Sequence, residues 1–106
     1  MIKANQYVFE FDDDLGTSEY SLYESIDVLK NRLSDRFEQE TSNSFRVSLN
    51  SHLDLCILCL SLDEENTKCR YVVQTLAKNN TLKSLECFDY IEIAIEHMNN
   101  RLAFYA

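Results

Sequence analysis

Proline is absent from this chain, and glycine occurs once, at Gly16. The pair of scarcities excludes low-complexity linkers and leaves few sharp breaks. One glycine also excludes a glycine-rich phosphate loop. Neither Asp12-Asp13-Asp14 nor Asp63-Glu64-Glu65 has the alternating ligands and central glycine of a calcium loop. No apolar run approaches the roughly 18 residues that a membrane span needs. The opening "MIKANQYVFEFDDD" lacks the apolar core of a signal peptide and turns acidic at once, so the expected location is the cytoplasm. Four cysteines in that compartment are expected to stay reduced.

Positive charge is the next scarcity. Ten Lys and Arg face 18 Asp and Glu, a net charge of −8. Such a surface repels nucleic acid and anionic membrane and attracts basic proteins. The plain alternative is that acidity keeps a small protein soluble. With 106 residues, one domain over 1–106 is expected. A chain of this length buries roughly 60–65% of the surface exposed when unfolded, enough for one modest core.

The hydrophobic pattern changes period along the chain. In "QYVFEF", Tyr7, Phe9 and Phe11 alternate with Gln6, Val8 and Glu10, a strand pattern. Gly16 breaks it, and Thr17 or Ser18 is the expected helix cap. From about 18 to 40, Leu22, Ile26, Leu29, Leu33 and Phe37 recur at helical spacing within an arc of about 80°. Glu24, Asp27, Asn31, Asp35 and Glu38 form the opposite stripe. Alternation returns from Phe45, with a strand to Leu49, a turn at Asn50-Ser51-His52 and a second strand over Leu53–Leu62; one long bent strand is the alternative. "DEEN" at 63–66 makes a turn, and Cys69, Tyr71, Val73 and Thr75 face one way in the next strand. From about 81 to 103, Leu85, Phe88, Ile91, Ile95, Met98 and Leu102 predict a second helix, flanked by Glu86, Asp89, Glu92 and Glu96. The expected order is β-α-β-β-β-α, an α+β fold with two amphipathic helices packed on a small, mostly antiparallel sheet.

Cys56 and Cys59 form a C-x-x-C pair. A zinc site takes such a pair from a tight turn, and a redox site takes it from a helix start. Ile57 and Leu58, between the two thiols, favour a strand. Strand residues three apart face opposite sides, so the pair is not expected to share an ion. A set of Cys59, Cys69, Cys87 and a histidine is conceivable but needs a coincidence of positions. The cysteines are therefore expected to be small buried hydrophobes, with no metal and no cofactor.

Catalytic chemistry finds little to use. His52 lies in a turn and His97 on the polar side of the second helix, without a local nucleophile pattern. The carboxylates lie on helix backs and in turns rather than converging in a cleft. The chain is expected not to be an enzyme.

Two surfaces invite partners. One is acidic: Glu24, Asp27, Asp35 and Glu38 on the first helix, and Glu86, Asp89, Glu92 and Glu96 on the second. It has the sign to imitate rows of nucleic-acid phosphates, although the back of any amphipathic helix is charged. The other is the even-numbered sheet face, with Cys56, Leu58 and Leu60 at its centre and Val72 and Val8 beside them. Either the second helix covers it or a partner does. The expected function is a non-enzymatic antagonist that binds and blocks a basic protein, such as a nuclease or a nucleic-acid-binding complex. An immunity protein against a toxin and a phage anti-CRISPR or other anti-defence inhibitor are the two settings of that type. The alternatives are an acidic secretion chaperone that dimerises or holds cargo through the even face, and a small thiol- or metal-dependent regulator. Direct binding to nucleic acid or membrane is not expected; a homodimer is possible.

Overall fold

A computed structural model describes residues 20–65 and 68–105. The strand predicted at Tyr7 to Phe11, Gly16, the proposed caps Thr17 and Ser18, and the Asp12 to Asp14 cluster lie outside the described residues.

Helix α1, Leu22–Arg32, starts from Ser21. The sequence Ser21-Leu22-Tyr23-Glu24 is a capping box. The Glu24 N–H donates to Ser21 Oγ (3.2 Å), and the Ser21 N–H donates to Glu24 Oε1 (3.0 Å), so two otherwise orphaned donors are satisfied. The helix ends well short of residue 40. Leu33 takes an extended conformation (φ −71°, ψ 152°), while its N–H still donates to the Leu29 carbonyl at 3.0 Å. Ser34 then diverts the chain, because its N–H donates to Asn99 Oδ1 at 3.1 Å. Its carbonyl accepts from the Phe37 N–H at 3.0 Å. Leu33 and Phe37 still reach the core, so the helical spacing continues past the helix itself.

Five strands follow: β1 Glu38–Thr41, β2 Ser44–Ser48, β3 Leu53–Ser61, β4 Cys69–Ala77 and β5 Leu82–Phe88. They pair antiparallel in chain order, each with its sequence neighbour. The predicted turn at Asn50-Ser51-His52 separates β2 from β3. Asn50 Oδ1 accepts from the His52 and Leu53 N–H groups at 2.7 and 2.9 Å, a side-chain-made turn. The long central pair β3/β4 sets Leu55 opposite Thr75, Ile57 opposite Val73 and Cys59 opposite Tyr71.

Strand β5 occupies the first part of the stretch predicted as the second helix. Asn80 adopts the left-handed region (φ 68°), which asparagine tolerates, and the chain turns back along β4. Val73 then faces Glu86, and Val72 faces Cys87. Leu85 and Phe88, three apart, point to opposite sides instead of sharing a helix stripe. Helix α2 is correspondingly shorter, Ile91–Phe104.

The fold is α+β, two amphipathic helices on an antiparallel sheet. Both helices lie on the odd-numbered face. Ile26, Leu29, Ile91, Ala94, Ile95, Met98 and Leu102 pack there with Phe45, Val47, Leu55, Ile57, Cys59, Tyr71 and Val73. Of the two alternatives for the even face, cover by the second helix is excluded, because α2 packs on the odd face. No helix among the described residues is long and apolar enough to cross a membrane.

Candidate functional site

Placing both helices on one side of the sheet gathers carboxylates on one outer surface. On α1, Ile26 and Leu29 point inward, so Glu24 and Asp27 point out and are exposed. On α2, Ile91, Ala94, Ile95, Met98 and Leu102 point inward, so Glu92 and Glu96 are exposed. Asn99 joins the two helices, donating from Nδ2 to the Arg32 carbonyl (3.2 Å) while it accepts from Ser34. The four carboxylates thus belong to one helix layer, interrupted by the exposed Lys30 and Arg32. The hydrogen bonds from Ser21 hold the Glu24 carboxyl below its usual range.

Asp35 and Glu38 are off the helix, Asp35 in the turn after it and Glu38 on edge strand β1. Both line an open groove of about 640 Å³ with Glu40, Arg46, Asp54 and Lys78. Its charges are already paired. Arg46 Nε and Nη2 both lie 2.9 Å from Asp54 Oδ2, and Arg46 Nη1 lies 3.3 Å from Glu40 Oε2. Arg46 Nη2 also donates to Asn80 Oδ1 at 2.8 Å. Lys78 Nζ bonds Asp54 Oδ1 at 2.5 Å and Ser48 Oγ at 2.7 Å. Burial pushes the Asp54 pKa up, but bonds from Lys78 and Arg46 outweigh it and hold the carboxyl below its ordinary value.

Glu86 and Asp89 also have partners within the chain. Glu86, on β5, lies 3.1 Å from His97 Nε2 and 3.8 Å from Arg101 Nη1. Asp89 lies 2.9 Å from Nε of the fully buried Arg70. These two carboxylates offer less to an incoming cation than the four on the helix layer.

The even face carries Cys56, Leu58 and Leu60 as the alternation predicted, with Cys56 buried and the two leucines half-buried. Val72 beside them is fully buried, whereas Val8 lies outside the described residues. Cys59 faces the helices, on the opposite side from Cys56. Cys69 shares its side, and Cys87 lies on β5 on the even side, so Cys59, Cys69 and Cys87 do not converge. All four thiols are free. Burial pushes Cys59 up to about 12 and Cys56, Cys69 and Cys87 up to about 11. Among the described residues, no three His, Cys, Asp or Glu side chains are placed to hold a metal ion. His52 is exposed in its turn, and the His97 ring lies tilted by 43° against Phe88, centroids 5.1 Å apart.

The capping box is the feature that reasoning from periodicity alone overlooks. Its signal, S-x-x-E before an apolar stripe, is present at Ser21 to Glu24. Comparison with protein-family models, with curated proteins and with solved structures finds no match.

Proposed function

We propose that this protein is a non-enzymatic antagonist that binds a basic protein and blocks it. The observation that carries this reading is the joint exposure of Glu24, Asp27, Glu92 and Glu96 on one helix layer of a chain with net charge −8. Two adjacent helices set their carboxylates in rows, and rows of fixed negative charge suit a cationic groove that ordinarily receives phosphates. Long-range attraction accelerates encounter with such a partner, and salt weakens it. A nuclease or another nucleic-acid-binding effector is the partner class this charge suits, in a toxin–immunity or anti-defence setting within the cytoplasm. The groove beside Asp35 and Glu38 contributes less, because Arg46 and Lys78 offset its carboxylates.

The test is a capture experiment at low salt, followed by charge reversal. Glu24→Lys, Asp27→Lys, Glu92→Lys and Glu96→Lys combined should slow association with the captured basic protein at least about tenfold and flatten its salt dependence. Binding that ignores all four changes would remove this reading.

A further inference from the structure

At one end of the sheet, two turns bound a shallow hollow. The Asn50-Ser51-His52 turn joins β2 to β3, and a turn through Asn79 and Asn80 joins β4 to β5. Between them lies an open cavity of about 430 Å³, within the size range of small-molecule sites. Leu53 and Ala77, opposite one another across β3 and β4 and both half-buried, give it an apolar wall. His52, Lys78, Asn79 and Lys83 line it as well. The described chain enters the fold at the other end of the sheet. Ser25 ties the start of α1 to Tyr71, six residues before Ala77 on β4, or roughly 20 Å away.

The charge of this hollow runs against that of the chain. Asp and Glu outnumber Lys and Arg by 18 to 10, yet among the described residues no carboxylate lines it. Lys78 is committed to Asp54 and Ser48. Lys83 is exposed, and among the described residues it has no ion-pair partner. A β-bulge presents it. Ser84 pairs with Thr75 and Leu82 with Leu76, so Lys83 is the extra residue that opposes nothing on β4. Bulges re-aim side chains and are over-represented beside functional sites. The His52 ring carries at least one N–H donor in either tautomer.

We propose that this hollow binds a small organic carboxylate with an apolar body, its anionic end against Lys83 and the His52 ring and its body on Leu53 and Ala77. The two kinds of lining residue select that class. A hydrophilic anion gains nothing from Leu53 and Ala77, and a neutral hydrocarbon gains nothing from Lys83. A cation is repelled by Lys78 and Lys83. The volume is about that of one helical turn 10 Å across, too small to seat a peptide helix and suited to a one- or two-ring acid. Glu24, Asp27, Glu92 and Glu96 do not line the hollow, so this site and the acidic helix layer stand or fall separately.

Amide NMR spectra of the full, unmodified chain, titrated with 3-phenylpropanoate to about 20 mM, test the site. Saturable shifts should centre on Leu53, Ala77 and Lys83, with a Kd on the order of 1 mM. The uncharged 3-phenylpropanamide should bind at least about threefold more weakly, and Lys83→Gln should remove that preference. The absence of saturable shifts would overturn the proposal, and it is also the result expected if residues 1–19 fill the hollow themselves. Shifts centred elsewhere, equal binding of the amide, or a preference that survives Lys83→Gln would overturn it too. The comparison of acid with amide uses the unmodified chain, so it decides the matter even where the variant misfolds.

Discussion

Ser25 and Tyr71 meet Oγ to Oη at 2.8 Å, both without solvent exposure, and join the first turn of α1 to the first part of β4. A hydroxyl pair in the core is costly to break, because burial keeps water from replacing the lost hydrogen bond. Ser25→Ala and Tyr71→Phe should each destabilise by about 1–3 kcal/mol. In the double variant the loss should fall short of the two single losses combined, since both remove the same bond. Urea denaturation of the three variants measures this coupling, and strict additivity would show the bond to be inconsequential.

Asp54 gives stability a defined response to acid. Its folded pKa lies below the ordinary 3.8, so it binds its proton more readily when unfolded. The stabilisation from Arg46 and Lys78 is therefore fully present well above pH 4 and is lost as pH falls through the folded value. Glu24 acts in the same direction from its usual 4.5. Asp54→Asn should cost about 1–3 kcal/mol at pH 7 and make the acid limb of the stability curve shallower. Thermal unfolding between pH 2 and pH 7 checks both effects. An unchanged limb would mean that the Arg46–Asp54–Lys78 network adds nothing in solution.

The cysteines should be chemically quiet. With pKa values of about 11 to 12, the thiolate fraction at pH 8 is on the order of one in a thousand or less, and Cys56, Cys59 and Cys69 are buried as well. Disulfide-exchange reagents should label all four in denaturant within minutes and the native chain far more slowly. Half-buried Cys87, on edge strand β5, should react first. Rapid labelling of Cys59 or Cys69 in the native state would contradict their placement beneath the helices.

Asn99 and Ser21 guard opposite ends of α1. Ser21→Ala removes the capping box and should cost about 1 kcal/mol. Asn99→Ala removes the bonds to the Arg32 carbonyl and the Ser34 N–H and should cost about 1–2 kcal/mol. Each kcal/mol should lower Tm by roughly 4–8 °C in a domain of this size. Scanning calorimetry gives the comparison directly.

The core and the strand faces were readable from local spacing. Ile26 and Leu29 announce α1, and the alternation from Leu53 to Cys59 and from Cys69 to Thr75 places the two central strands and parts Cys56 from Cys59. Element ends were harder, because distant residues decide them. Leu33 and Phe37 keep the helical spacing, yet Ser34 is drawn out of the helix by Asn99, 65 positions away. Leu85 and Phe88 sit at helical spacing from Ile91, yet pairing with β4 after the Asn80 turn makes a strand of them. The same division holds for the carboxylates. Glu24, Asp27, Glu92 and Glu96 point outward because apolar neighbours point inward, which local spacing conveys. That Glu86 meets His97 and Asp89 meets Arg70 depends on the sheet register, which it does not convey.

The sheet order that follows the chain has a consequence for how the molecule assembles. Each strand finds its partner across a short turn, so loop closure is cheap and the hairpins can zip from β3/β4 outward. The exception is the helix pair, which joins the two ends of the described chain through Asn99. Closure of that pair is therefore expected after the main folding barrier. Asn99→Ala should then speed unfolding and leave the folding rate nearly unchanged, so that Asn99 acts as a latch on a sheet already built.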